Sequence, residues 1–239
     1  MLINVFLIFQ TQVISMIADE YSNFNQVPIL SEQKGKTLAF INECVKMACI
    51  PFKKASNQPN LLRPLNENKY TQIFVEQIEV FIKPHPNIGV KNQYSDTFFG
   101  TKGIPDFYFH KVEEGVHNEP LMVWEAKILS TSLGEKREKE YVIGSKNNGG
   151  IERYKTEKHG KGLNKCGLLG FVEEENFDYW NAIINNWITE LSETDNSNWK
   201  NDERLSLKEP DLDFCVLESV AHRTNDDVHL THLWINIRK

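Results

Sequence analysis

Apolar and polar residues alternate along this chain with two different periods, and the change between them divides it. Residues 1–60 hold an apolar opening stretch to about Tyr21 and then KGKTLAFINECVKMACI, both reading as helical, with Pro51 expected to end the second. After the polar, proline-rich NQPNLLRPLNE, the spacing of Tyr70, Phe74, Ile78 and Phe81 predicts a helix over residues 67–82, closed by Pro84 and Pro86. The period then shortens. Residues 90–99, 105–112 and 120–129 are rich in Phe, Tyr, Val and Ile and are separated by turn signals at GTKG and EEGVHNE, which predicts three strands of an antiparallel meander. A charged connection leads to a short helix over residues 150–158 and an apolar strand, GLLGFV, over residues 167–172. Phe177, Trp180, Ile184, Trp187 and Leu191 then mark a helix capped by Asn176, expected to lie on the sheet. A polar loop over residues 192–210 precedes two strand-like runs, DFCVLESV and VHLTHLWINI, joined by a hairpin turn at RTNDD.

Composition narrows the class without fixing the function. The 239 residues, 40% hydrophobic and 25% charged, suit one globular domain with an appendage, taken here as a mainly helical extension over residues 1–60 and a domain over residues 61–239. Cys44, Cys49, Cys166 and Cys215 form no paired spacing, so neither a disulfide framework nor a zinc site is expected, and a reducing, cytoplasmic setting fits. The opening MLINVFLIF has no Lys or Arg before Lys34, and its longest unbroken apolar run is too short for a membrane span, so no membrane association is expected. The net charge is -6, yet between Lys127 and Lys165 ten Lys or Arg face five Glu, a local +5 that leaves -11 on the rest. An acidic protein with one basic segment can hold a nucleic acid there, and a solvated helix of mixed charge is the alternative.

The chemistry concentrates in two short stretches. Pro105-Asp106 opens the second predicted strand, and Glu125-Ala126-Lys127 lies within the third, with Glu125 nineteen positions after Asp106. Strand alternation sends Glu125 and Lys127 to one face while Trp124 and Ala126 take the other. If the two strands pair, Asp106 comes beside Glu125. Two converging carboxylates offer oxygen ligands to a hard cation such as Mg2+, and Lys127 adds a fixed positive charge. Those parts describe phosphodiester hydrolysis, in which Lys127 orients or deprotonates a water or offsets developing charge.

Pro105-Asp106 and Glu125-Ala126-Lys127 resemble the motif of the PD-(D/E)XK nuclease superfamily, and the predicted order of helix, three strands, helix and strand between Glu67 and Val172 resembles its core. The resemblance implies an α/β fold with a restriction-endonuclease-like αβββαβ core, a mixed central sheet flanked by helices, here with an N-terminal helical extension and a C-terminal hairpin. It implies metal ligation by Asp106, Glu125 and the Ala126 carbonyl, with Mg2+ as the ion and Mn2+ as a substitute, and action of Lys127 on water. Relatives often add a glutamate from the first helix. Glu67 is the candidate, one and two heptads before Phe74 and Phe81, with a favourable charge at a helix N-terminus as its other reading.

The helix after the third strand often contacts substrate in such proteins. Here Arg153 and Tyr154 are the leading candidate nucleic-acid contacts, with Lys155, Lys158 and Lys161 as residues to track the backbone, although Gly150 stands where some relatives carry Gln. The implied activity is DNA cleavage, in restriction or anti-phage defence, with double-stranded DNA as partner and a homodimer or partner subunits as the assembly. A silent nuclease-fold scaffold and an RNA-cleaving enzyme are the alternatives. His222, His229 and His232 read as structural, since His229 and His232 fall on opposite strand faces.

Overall fold

The computed structural model describes residues 30–238, so the helix expected up to Tyr21 lies outside the described residues. The chain forms two compact units, Met1–Ala39 and Phe40–Lys239, with the break before residue 60. Helix α1 (Leu30–Met47) is followed after one residue by α2 (Cys49–Ser56). Pro51 does not end a helix as the sequence predicts. It sits in the first turn of α2, where backbone N–H groups have no intrahelical acceptor and the proline ring removes nothing. Phe52 of α2 is fully buried, its ring 5.5 Å from Phe74 and 5.4 Å from Phe171, so this part of the expected extension belongs to the larger unit's core.

Helix α3 spans Glu67–Ile82, as its spacing predicts, and starts where the Asn66 side chain accepts a hydrogen bond from the Lys69 amide. Strands β1 (Ile88–Asn92), β2 (Phe107–Lys111) and β3 (Pro120–Leu129) form the expected antiparallel meander. Helix α4 (Gly150–Lys155) and strand β4 (Lys165–Val172) complete the run of helix, three strands, helix and strand. Helix α5 (Phe177–Ser192) follows, with Asn176 accepting from the Tyr179 amide. Strands β5 (Ser206–Pro210), β6 (Phe214–His222) and β7 (Asp227–Asn236) end the described fold.

The seven strands make one mixed sheet in the order β1-β2-β3-β4-β7-β6-β5. Contacts of β4 with β3 and with β7 are parallel, and the other pairings are antiparallel, with β6 and β7 forming the C-terminal hairpin. Strand β5 replaces part of the loop expected over residues 192–210. All five of its residues are exposed, so it carries no inward alternation to read, and Lys208 and Pro210 suit an edge that must not recruit another strand.

Helices flank the sheet because each face is apolar. On one face α2 and α3 set Phe52, Tyr70 and Phe74 against Phe107 and Phe171. On the other, Trp180, Ile184 and Ile188 of α5 join Leu168, Leu230 and Trp234. Gly167 is required at its position, since a Cβ there would lie 2.1 Å from the Trp124 indole, which stacks on Phe107 at 5.6 Å.

A buried polar chain crosses the second face. Trp234 Nε1 donates to the Tyr141 hydroxyl at 2.7 Å, and that hydroxyl is hydrogen-bonded to His232 Nδ1 at 2.9 Å. His232 Nε2 is in turn hydrogen-bonded to Ser219 Oγ at 2.9 Å, so each ring nitrogen has a partner whichever of them carries the proton. Every member is satisfied, and His232 is structural, as its strand position predicts.

Candidate active site

The site is built where β2 stops short of β3. Backbone pairing between them ends at Phe107 opposite Trp124, while β3 runs on to Leu129. Past that point the β3 backbone groups facing β2 have no strand partner, and an unsatisfied amide in this setting costs about 1–3 kcal/mol. Side-chain carboxylates take the vacant places. Asp106 Oδ2 accepts from the Ala126 amide at 2.7 Å, and Glu67 Oε2, from the start of α3, accepts from the Ile128 amide at 3.0 Å. The Ala126 carbonyl accepts from Lys127 Nζ at 2.8 Å.

Glu125 and Lys127 share a face of β3, and both are buried, Glu125 at 1% and Lys127 at 8% exposure. Glu125 Oε1 accepts from Lys127 Nζ at 2.6 Å and from Arg153 of α4. Lys127 Nζ also stands 3.5 Å from Glu67 Oε1. His159 Nδ1 lies 3.2 Å from Glu125 Oε2, near enough for attraction but out of line for a hydrogen bond, so both buried atoms lack a hydrogen-bond partner.

Burial works against the charge on each of these groups, and the neighbours decide the result. Asp106 is pushed up to about 7 by burial and then by the Glu125 charge, only partly offset by Lys127 and the Ala126 amide. Burial raises Glu125 as well, but Lys127, His159 and Arg153 outweigh it and bring the carboxyl to about 2. Lys127 is lowered by burial, yet Glu125, Glu67 and Asp106 more than reverse this and hold it above the ordinary lysine value. His159 is lowered by burial, with Glu125 opposing.

The oxygens able to hold a cation are those of Asp106 and Glu125 with the Ala126 carbonyl. Among the described residues no group of three or more His, Cys, Asp or Glu side chains gathers as a metal site. An all-oxygen set of two carboxylates and one carbonyl, completed by water, is nonetheless the chemistry Mg2+ accepts, and buried Glu125 Oε2 is a carboxylate oxygen that no protein donor satisfies.

Of the expected site residues, the structure brings Asp106, Glu125, Lys127, Ala126 and Glu67 together. Arg153 belongs to the same cluster through Glu125 and is not turned to solvent. Two of the other expected nucleic-acid contacts, Tyr154 and Lys155, are turned into the core. Tyr154 is fully buried and donates its hydroxyl to the Gly167 carbonyl at 2.7 Å, pinning α4 to β4. Lys155 is buried in an ion pair with Glu203 and donates to the His222 carbonyl at 3.1 Å. Lys158 is half-buried, its amine donating to the Asn148 side chain. The signal that separates them was available: Ile151, Tyr154 and Lys155 fall at i, i+3 and i+4, the inward stripe of a helix.

His159 was missed, and no spacing in the sequence points to it. It is seated because Gly103 leaves room, a Cβ there falling 2.3 Å from the His159 ring.

Comparison with known proteins returns no matching family model, no matching curated protein and no matching solved structure. Among the described residues no helix is long and apolar enough to cross a membrane.

Proposed function

We propose that this chain is a Mg2+-dependent endonuclease that hydrolyses phosphodiester bonds of DNA, on a restriction-endonuclease-like core running from α3 to β4. The observation that carries the reading is the gathering of Asp106, Glu67 and Lys127 around the unpaired β3 edge at Ala126, beside buried Glu125. Structural stability alone gives little reason to crowd three carboxylates and a lysine there, since apolar groups of similar volume stabilise a core as well or better.

Asp106, Glu125 and the Ala126 carbonyl would hold the metal, which when bound polarises the phosphate and makes a water acidic enough to attack. The Glu125, Glu67 and Asp106 carboxylates favour the charged form of Lys127. It serves as a hydrogen-bond donor to the attacking water and as a counter-charge to the oxygen that becomes more negative. Glu67, tied to Ile128 and within reach of Lys127, fixes where that ammonium points. Arg153 shares Glu125 Oε1 with Lys127 and keeps that oxygen occupied.

The test is cleavage of supercoiled plasmid with Mg2+ by the wild type, Asp106→Ala and Lys127→Ala. Removing either group is expected to lower the rate about a hundredfold or more, as loss of one charge-stabilising donor does elsewhere. Equal cleavage by all three proteins sinks the reading. A second reading, a silent scaffold, is favoured by the way Lys127 and Arg153 already neutralise Glu125 Oε1 without a metal. Failure of Mn2+ to bind the wild type in calorimetry would select it.

A further inference from the structure

Beside the site lies an open groove to which three separate segments contribute lysines: Lys102 from the loop before β2, Lys146 from the connection before α4, and Lys158 and Lys161 from the turn after it. Glu157 is the one acidic residue in its lining, so the groove carries +3 on a chain whose total is -6. Lys102, Lys146 and Lys161 are exposed and have no carboxylate partner among the described residues. Like charges from distant parts of the chain converge here, and leaving their repulsion uncompensated calls for an anionic occupant.

The lysines sit on backbone that is already fixed. Asp96 accepts hydrogen bonds from the amides of Phe98 at 2.9 Å, Phe99 at 3.0 Å and Thr101 at 2.6 Å, which locks the loop that presents Lys102. Lys158 ties its own segment to the one bearing Lys146 by donating to the Asn148 side chain and, at 3.4 Å, to the Asn147 carbonyl. The groove also adjoins the reacting groups. Lys158 immediately precedes His159, whose Nδ1 is 3.2 Å from Glu125 Oε2, and Gly103, next to Lys102, is pressed against the Lys158 carbonyl and the His159 ring.

We infer that this groove is the track along which the phosphate backbone of a DNA duplex lies when one of its phosphates is at Glu125. A compact anion would be held by donors converging in an enclosed pocket; point charges spaced along an open groove match a polyanion instead. The inference rests on the proposed phosphodiester chemistry and deepens it by placing the substrate. Of the contacts expected in this segment it keeps Lys158 and Lys161, since α4 spends Tyr154 and Lys155 in the core and the turn beyond it faces the groove.

The experiment is fluorescence anisotropy of a short labelled duplex with the full chain, the divalent metal chelated, over a salt series. Lys102→Gln/Lys146→Gln/Lys161→Gln is expected to bind about tenfold or more weakly, with the slope of log affinity against log salt reduced by about 0.9 for each lost phosphate contact. A charge-matched control, Lys83→Gln/Lys91→Gln/Lys111→Gln, removes three exposed lysines from outside the groove and should retain affinity and slope. Wild-type affinity and slope in the groove variant, an equal loss in the control, or no duplex binding by the wild type at low salt would each overturn the inference. Because no cleavage is read, groove-dependent binding without cutting removes the hydrolase reading alone, and cutting without groove-dependent binding removes the groove alone.

Discussion

The Asp106 carboxylate accepts the Ala126 amide at 2.7 Å, replacing the strand partner that β3 loses where β2 ends. One side chain thus completes the sheet's hydrogen bonding and presents negative charge beside Glu125. Asparagine separates the two jobs, since its carbonyl oxygen can still accept from Ala126. Asp106→Asn is expected to melt at or above the wild-type temperature without metal, because the crowding that raises the aspartate is relieved. Added Mn2+ should raise the wild-type melting temperature by mass action and leave the variant unmoved. Equal Mn2+ shifts in a thermal melt would show that Asp106 is no ligand.

Lys155 and Glu203 form a buried ion pair, at 5% and 0% exposure. Lys155→Met leaves Glu203 buried without its partner and is expected to cost about 3–5 kcal/mol in urea denaturation. Adding Glu203→Leu should recover much of that loss. A small cost from the single variant, together with a loss of DNA affinity, would instead return Lys155 to the substrate.

Gly167 and Trp124 occupy the same space to within a methyl group. Gly167→Ala drives a Cβ into an indole held by stacking on Phe107 and is expected to cost about 1–3 kcal/mol or more. In a Trp124→Leu background the same change should cost less, a non-additivity that a double-mutant cycle in denaturant reads directly. Strict additivity would mean that the two side chains do not collide.

His232 supplies a pH dependence. Burial pushes its folded value down to about 3, below the unfolded value near 6.5. The unfolded chain therefore takes up a proton that the folded chain refuses as pH falls, so stability is full above about 6.5 and is lost progressively below it. The loss is about 2 kcal/mol by pH 5. His232→Gln should be less stable than the wild type at pH 7.5 because it breaks the chain from Trp234 to Ser219, yet its stability should fall less between pH 7.5 and pH 5. Parallel pH profiles from urea denaturation would contradict this.

The elements readable from sequence were those with a long, one-sided apolar pattern. Helix α3 has its inward residues over four turns and an Asn cap, and α5 repeats the device with Asn176, so both fall where expected. Strand alternation also placed Glu125 and Lys127 on one face, and heptad spacing brought Glu67 near them. Strand β5 escaped because an edge strand exposed along its whole length has no pattern to show. Pro51 misled because a proline marks a helix start as readily as a stop. His159 and the lysine groove depend on which loops meet in space, through Gly103 on one side and Asp96 on the other, and periodicity within a segment holds no record of that.

The gap between β2 and β3 also determines what the chain tolerates. Asp106 is held to Ala126 by the strand ladder beside it, not by the hairpin that links the two strands through residues 112–119. Around Gly115 that hairpin is exposed, and none of the hydrogen bonds that assemble the cluster passes through it. A reporter or a second binding module grafted at Glu114–Gly115 would leave the Asp106, Glu125 and Lys127 cluster in register, so the tip of the hairpin is the natural attachment point on this chain.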